Sequence, residues 1–169
     1  KPSRKMNMYV RFRQQNKPIN DNSFDGAERI RKVVDQLQTN YRYNVSYKVS
    51  DAVTLRNRVE YVTYQRGNNP IEDGFMINQD VVYKPLSKPY SFSFRYALFQ
   101  TDSYNARIYA YENDVLYYFY IPAYYRTGSR FYLTARYKYK RKLDFWVRYG
   151  IWNYRNEDTV LSGLEEIQG

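Results

Sequence analysis

The side chains of this chain that could do chemistry are mostly arginines, and they recur at every second position within aromatic runs. In the stretch RFYLTARYKYKRKLDFWVRYGIW, residues 130–152, Phe131 and Leu133 alternate with Arg130, Thr134 and Arg136. Guanidinium groups bind carboxylates and phosphates, and a ring of them in a water-filled lumen attracts anions and repels cations. The first question is therefore what kind of protein sorts arginines and aromatic rings onto opposite sides.

Catalytic chemistry has little support in the residue types. The 169 residues include no histidine and no cysteine, which removes the commonest general base, thiolate metal sites and disulfides. Glu112 and Asp114 flank Asn113, and two carboxylates this close could act in acid–base chemistry or bind a cation. No third ligand or nucleophile is near them in sequence, so we favour a tight turn in which Asn and Asp bond their own backbone. We expect no enzyme, no catalytic residue, no cofactor and no metal site.

The composition indicates surfaces that are half apolar and half wet. Aromatic residues make up 20% of the chain and 22 of them are tyrosine, yet the mean hydropathy is −0.82. Tyrosine has an apolar body and a polar tip, which suits a membrane–water interface. The formal net charge of +10 suits nucleic acid, an anionic lipid surface or a basic pore. No apolar run reaches the roughly 18 residues of a transmembrane helix, which excludes a helical membrane protein.

Strict alternation over the chain predicts about nine β-strands. Their links alternate between short ones (SDA, PLSKP, ND and KRK) and long ones (residues 16–37, GNNPIED, QTDS, PAYYRTGSR and the tail from Asn153). Short turns on one side and longer loops on the other are typical of an up-and-down barrel in an outer membrane. The sequence thus predicts an all-β, up-and-down antiparallel transmembrane β-barrel. We expect residues 1–169 to be one barrel region, incomplete at both ends, whose targeting signal lies upstream.

In a membrane barrel the apolar face meets lipid and the charged face lines the lumen, because a charge in mid-bilayer costs roughly 2–4 kcal/mol. The alternation predicts lumen-facing basic residues at Arg42, Arg56, Arg58, Arg95, Arg107, Arg136 and Arg148. It predicts lumen-facing acidic residues at Glu60, Asp80 and Asp144, and lipid-facing residues at Phe92, Phe94, Leu133, Phe145 and Val147. In a soluble β-domain the same two faces would be solvent and core.

The first long link carries an ambiguous pattern. Residues 16–37 are predicted to form a long extracellular loop. The stretch GAERIRKVVDQLQ, residues 26–38, has apolar residues at roughly helical spacing: Ala27, Ile30, Val33, Val34 and Leu37. This stretch is either a short amphipathic helix or an outer extension of the second strand, because short apolar patterns do not separate the two.

Several stretches together resemble one family: KPSRKMNMYVRFR, NYRYNVSYKVS, LRNRVEYV, GFMINQDVVYKP, RYALFQTDSYNARIYAYENDVLYYFYIPAYY and SGLEEIQG. They are similar to the C-terminal outer-membrane barrel region of Bacteroidota helix-hairpin-helix domain-containing proteins. The resemblance spans nearly the whole chain, and its most specific part is TDSYNARIYAYENDVLY, residues 101–117. It implies a barrel in the outer membrane of a Gram-negative bacterium, one further strand after EEIQG and an upstream helix-hairpin-helix region that this chain does not match.

Three functions follow as expectations. The leading one is an outer-membrane β-barrel that acts as membrane anchor or scaffold within a larger cell-envelope complex, with membrane lipid and other envelope proteins as partners. The first alternative is an outer-membrane pore with an anion-preferring, arginine-lined lumen. The second is a soluble basic β-domain that binds nucleic acid, although arginines backed by lipid-like faces do not form an exposed aromatic platform. We expect no nucleic-acid partner for this region, and inward tyrosine and tryptophan rings favour a filled lumen.

Overall fold

The structure, a computed structural model, describes residues 5–20, 33–140, 142–155, 159–160 and 167–168. These residues form strands, turns and extended segments, and none of the described residues is helical. In the described chain there is accordingly no helix with the length and hydropathy that a membrane span requires.

Seven long strands carry the alternating runs of the described chain. They are β1 (Met6–Asn20), β2 (Val33–Lys48), β3 (Val53–Arg66), β4 (Glu72–Tyr83), β5 (Tyr90–Thr101), β8 (Thr127–Tyr139) and β9 (Leu143–Tyr154). Four strands of two residues each complete the described structure: β6 (Ile108–Tyr109), β7 (Ala123–Tyr124), β10 (Thr159–Val160) and β11 (Ile167–Gln168). The long strands are rich in tyrosine, phenylalanine and valine, which favour a pleated, half-buried surface.

The seven long strands form one main sheet in the order β1-β2-β3-β4-β5-β8-β9, and every neighbouring pair is antiparallel. The all-β, antiparallel prediction is therefore confirmed. The described strands do not close on themselves, since β1 pairs only with β2 and β9 only with β8. The closed barrel stays a prediction.

Nine strands precede Arg155 in the described chain, which agrees with the predicted number, but two of them lie outside the main sheet. Two of the nine strands that alternation predicts are the runs YNARIYAYE (residues 104–112) and DVLYYFYI (residues 114–121), and for these two the prediction of sheet strands is wrong. The first retains only β6, which pairs with β7, and residues 114–121 form no strand. Strand β5 pairs directly with β8 instead. Residues 102–126 are therefore an insertion between two neighbouring strands, and we call them the insert.

The links of the main sheet keep the predicted alternation, apart from the insert. Residues 49–52 and 84–89 are short links at one end, which we call the short-turn end, and β8 also ends and β9 begins there. The Ser50 hydroxyl accepts hydrogen bonds from the backbone N–H groups of Ala52 and Val53 in the first of them. β1 ends and β2 begins at the opposite, long-link end, from which residues 67–71 and the insert also leave. The predicted loop 16–37 is shorter, because β1 extends to Asn20 and β2 begins at Val33; the strand-extension alternative holds from Val33 onward, and residues 21–32 lie outside the described chain.

The two faces of the main sheet differ in the way that the alternation predicts. One face, the apolar face, carries large hydrophobic side chains that are exposed, among them Val10, Phe145 and Val147 at 76%, 55% and 65%. The other, the polar face, carries the charged residues and is largely covered by the insert, so that Glu60, Asp80 and Arg95 are buried. This is the reverse of a water-soluble sheet, in which the charged face is exposed and the apolar face is buried.

Candidate functional site: the polar face and the insert that crosses it

The register places the predicted residues on the two faces. Partners across the ladders share a face. They put six of the seven predicted arginines and all three predicted carboxylates on the polar face: Arg42, Arg56, Arg58, Arg95, Arg136, Arg148, Glu60, Asp80 and Asp144. They put Phe92, Phe94, Leu133, Phe145 and Val147 on the apolar face. Arg107 is the exception, because it lies on the insert rather than on a strand of the main sheet.

The insert leaves and re-enters the sheet at a single fixed point. The Thr101 N–H donates to the Arg126 carbonyl at 2.9 Å, and the Arg126 N–H donates to the Thr101 hydroxyl at 2.8 Å. Arg126 has a φ of 69°, a left-handed conformation that turns the chain back into β8. Next to this point Gly74 allows the Ala106 carbonyl to approach β4 so closely that a side chain at Gly74 would collide with it. The insert is thus held against the sheet from its beginning.

Arginines of the polar face hydrogen-bond the backbone of the insert. Arg58 donates to the Tyr109 carbonyl at 2.9 Å, and Arg95 donates to the Tyr111 carbonyl at 2.7 Å. Residues 110–114 form no ladder, so the guanidinium groups supply donors that a neighbouring strand would otherwise provide. Each of these arginines also pairs with a carboxylate of the sheet, Arg58 with Glu60 and Arg95 with Asp80.

The carboxylates of the insert complete the network. Glu112 is fully buried and accepts hydrogen bonds from Arg130 at 3.1 Å, from Arg148 and from the Tyr124 hydroxyl at 2.7 Å. Asp114 pairs with Arg148 as well. Burial, and then the nearby Glu112 carboxylate, raise the pKa of Tyr124, so its phenol stays protonated and donates. The two carboxylates are therefore ion-pair partners, and they are not free for a cation or for acid–base chemistry.

The predicted ND turn lies inside the fold and not at the short-turn end of a hairpin. The Asn113 side chain donates to the Ser93 hydroxyl at 2.7 Å, its N–H donates to the Tyr132 hydroxyl, and its carbonyl accepts from the Thr134 hydroxyl. Ser93 lies eight residues before Thr101, which is roughly 27 Å along a strand. The insert therefore runs from the long-link end deep across the polar face. The expected bond to local backbone is present for Asp114, which accepts from the Val115 N–H at 2.7 Å, but not for the Asn113 side chain, which bonds Ser93 instead.

A small apolar core lies between the insert and the long-link end of the polar face. It consists of Val62, Met76, Ala97, Phe99, Ile108, Ala110 and Tyr124, with Trp152 and Tyr154 packed against it. The Phe99 ring meets the rings of Tyr124 and Trp152 edge-on at 5.4 and 5.7 Å. Beside it the Arg130 guanidinium stacks on Trp152 at 4.6 Å, in space that Gly150 leaves open. Burial of apolar surface and ion pairing thus hold the insert together.

Two further parts of the predicted site lie away from the insert's carboxylates. Arg42 donates to Glu60 at 2.9 and 3.1 Å, whereas Arg136 pairs with Asp144 at an exposed site. Arg56 is exposed and makes no ion pair within the described part of the chain. The arginines and carboxylates predicted to face the lumen thus pair with one another at Glu60, Asp80 and Asp144, except that Arg56 takes no part and Arg148 pairs with the insert.

A polar cavity of about 370 Å³ opens between β1, β2, β3 and the insert. Arginines line it from both sides: Arg11 and Arg13 from β1, Arg42 from β2 and Arg107 from the insert. Glu60 is the one carboxylate on the walls that the described residues form, and Arg42, Arg58 and Asn40 already bond it. The cavity walls therefore carry a surplus of positive charge.

Sequence reasoning missed Arg130, Glu112 and the apolar core as parts of one site. The sequence does contain a signal for the core, because the strands carry apolar residues on both faces at YVTY, FMI and YALF. In the insert, Ala106, Ile108 and Ala110 likewise alternate with larger polar residues. Comparison supplies no further assignment: the chain matches no protein-family profile, no curated protein and no solved structure.

Proposed function

We propose that this chain forms part of an outer-membrane β-barrel that serves as a membrane anchor or scaffold in a larger cell-envelope assembly, with the insert filling the lumen. The observation that carries the proposal is the reversed polarity of the main sheet. Its apolar side chains are exposed, whereas charged side chains of its opposite face, such as Asp80, Arg95 and Arg130, are buried in ion pairs.

The size of the apolar face supports lipid as its partner. Seven strands about 4.8 Å apart and ten residues long at about 3.3 Å each give an area on the order of 1,000 Å². Soluble monomers rarely expose contiguous apolar patches larger than a few hundred Å². The strands have 12 to 16 residues, more than the roughly 9–11 that span a bilayer in a tilted barrel.

The distribution of aromatic residues on this face agrees with a membrane interface. Near the short-turn end Tyr83, Tyr90 and Phe92 stack with ring centroids 4.7 to 6.1 Å apart, and Tyr137 lies opposite Tyr90. Valine, leucine and isoleucine lie further along the strands, as at Val81 and Leu133. Amphipathic rings near the strand ends are typical of a barrel's outer surface, and Tyr96 and Tyr149 add rings in mid-strand on the same face.

The position of the insert favours a scaffold function rather than a pore function. It covers the polar face for most of a strand's length, and its carboxylates form ion pairs that neutralise the charge of Arg130 and Arg148. An open anion path needs this face to be hydrated. The anion pore is the second candidate, because Arg56 and three arginines of the polar cavity, Arg11, Arg13 and Arg107, keep charge that no described carboxylate offsets. Nucleic-acid binding has less support, since most of the arginine-rich face is covered. The resemblance to outer-membrane barrel regions points the same way as the face polarity.

Tryptophan quenching by brominated lipid tests the assignment of the two faces. The chain has two tryptophans, Trp146 and Trp152, and both lie on the polar face. Two single-tryptophan proteins would be compared in lipid vesicles: one with Trp152→Phe, which retains Trp146, and one with Phe145→Trp, Trp146→Phe and Trp152→Phe. Neighbouring positions of one strand then report opposite faces. We expect strong quenching at position 145 and weak quenching at 146; equal or reversed quenching would reject lipid contact for the apolar face.

A further inference from the structure

We infer that the polar cavity between β1, β2, β3 and the insert is a binding site for a small acidic saccharide, a ligand with a carboxylate or phosphate group on a hydroxyl-rich ring. The inference goes beyond the proposed function, because it depends only on the polar face and holds whatever covers the apolar face. The volume of about 370 Å³ lies within the range of small-molecule sites, toward its lower end.

We infer an anionic group on the ligand because two arginines repel each other across the sheet. Arg11 and Arg42 are direct partners across the β1–β2 ladder, on the same face. Like charges at opposite positions of a ladder destabilise the pair. Glu60 bonds Arg42 but also bonds Arg58, so it does not offset the charge of Arg11. An anion between Arg11 and Arg42 would remove the repulsion.

Two more guanidinium groups face the same space. Arg13 lies one position further along the same face of β1 and donates to Gln15 at 3.3 Å. Arg107 enters from the insert, where Tyr104 and Tyr109 hold it: the guanidinium lies 4.2 Å from the Tyr104 ring centroid and donates to the Tyr109 hydroxyl at 2.7 Å. The fixed planar fork of arginine suits the oxygen pairs of carboxylates and phosphates. Arg107 is thus held in position before any ligand binds.

We infer a hydroxyl-rich ring on the ligand from the other side chains that line the cavity. Between the arginines lie amide side chains of β1, β2 and the insert, among them Gln36, Gln38 and Asn105. Each amide both donates and accepts hydrogen bonds, which matches the hydroxyls of a sugar ring and exceeds what a bare inorganic anion can use. Ile108 and Tyr64 add apolar surface beside them. The combination of paired guanidinium groups and amides selects an acidic sugar over both a neutral sugar and a simple anion.

Calorimetric titration of the full chain in detergent micelles tests the inference. The probes are glucuronate, glucose 6-phosphate, glucose and inorganic phosphate, so that carboxylate, phosphate, hydroxyls alone and charge alone are separated. The variant is Arg11→Gln with Arg13→Gln, and the matched control is Arg56→Gln, an exposed arginine of the same face outside the cavity. Circular dichroism shows that each variant keeps its β-structure.

We expect glucuronate or glucose 6-phosphate to bind at least tenfold more tightly than glucose and than inorganic phosphate. The double variant should weaken that binding about tenfold or more, since it removes two charged hydrogen-bond donors, and Arg56→Gln should leave it unchanged. Three results would overturn the inference: neither acidic sugar binds, inorganic phosphate binds as tightly as they do, or Arg56→Gln weakens binding as much as the double variant. A variant that loses its β-structure would be replaced by Arg107→Gln, judged by the same criteria.

Discussion

At the scale of single residues, the arginines of the polar face act as hydrogen-bond donors to a segment without a strand partner. Arg95 illustrates this, because it joins Asp80 of the sheet to the carbonyl of Tyr111 in the insert. A buried carboxylate is stable only when it is paired and hydrogen-bonded, and Glu112 has three such partners. The charges on this face therefore hold one particular placement of the insert.

Arg148 and Arg56 should respond differently to the same substitution. Arg148→Gln leaves the buried Asp114 without its ion-pair partner and should lower the free energy of unfolding by about 3 kcal/mol, toward the low end for a buried pair because Arg130 still faces Glu112. Arg56→Gln, at an exposed position, should change it by less than about 0.5 kcal/mol. Denaturant unfolding of the intact protein in detergent measures both. Similar losses for the two variants would contradict the burial of the Arg148 pairs.

At the scale of elements, the insert decides whether the polar face is wet. It contacts β3, β4, β5, β8 and β9 through side chains, and its even-numbered residues from Ala106 to Glu112 are buried against the sheet. Its large hydrophobic residues 116–121, of which 117–120 are aromatic, are exposed, with Tyr117 at 98%. An element held by ion pairs and a small apolar core can be removed without interrupting any ladder of the main sheet.

Conductance in planar bilayers should separate the wild type from a variant without the insert. Gln100 and Thr127 are direct partners, so a turn of about four residues can replace residues 102–126. We expect no steady current from the intact wild type, and an anion-preferring current from the variant, in which Arg130 and Arg148 lose their carboxylates. Adding Arg56→Gln, Arg95→Gln and Arg148→Gln should weaken the anion preference. A stable anion-selective current from the wild type would favour the pore over the scaffold, and a closed variant would show that the insert is not what fills the lumen.

At the scale of the whole molecule, the alternation of short and long links distinguishes the two ends of the main sheet. The short links lie at one end, and the insert and residues 67–71 leave from the other. The insert replaces two predicted strands, which is an even number. Every other link therefore stays at the end of the sheet at which it was predicted. For an outer-membrane barrel the long-link end is extracellular and the short-turn end is periplasmic.

Cysteine labelling on whole cells should show which end of the main sheet is extracellular. A cysteine at the exposed Asn69 is expected to react with a membrane-impermeant reagent, and one at the exposed Ser87 is expected not to react until the cells are opened. Gly128 is unsuitable for such labelling, because a side chain there would collide with the carbonyl of Asn153. Labelling at Ser87 alone would reverse the orientation, and labelling at neither position on opened cells would argue against both links being accessible.

The sequence alone determined the strands and the composition of each face. Alternate residues of a strand must point to opposite faces, so the positions of Arg95 and Phe94, or of Arg148 and Val147, followed from period two before any fold was known. The same rule placed the links at alternating ends. It could not separate a strand of the main sheet from an extended segment lying across it, and residues 104–121 were assigned wrongly for that reason.

The tertiary structure decided which charges meet. Glu112 bonds Arg130 and Arg148, which are 18 and 36 residues away, and local periodicity holds no information on such pairs. The cavity is likewise assembled from β1, β2, β3 and the insert, whose arginines meet only when the insert folds back. Long-range pairing depends on burial, since a carboxylate removed from water takes the nearest guanidinium group irrespective of its place in the chain.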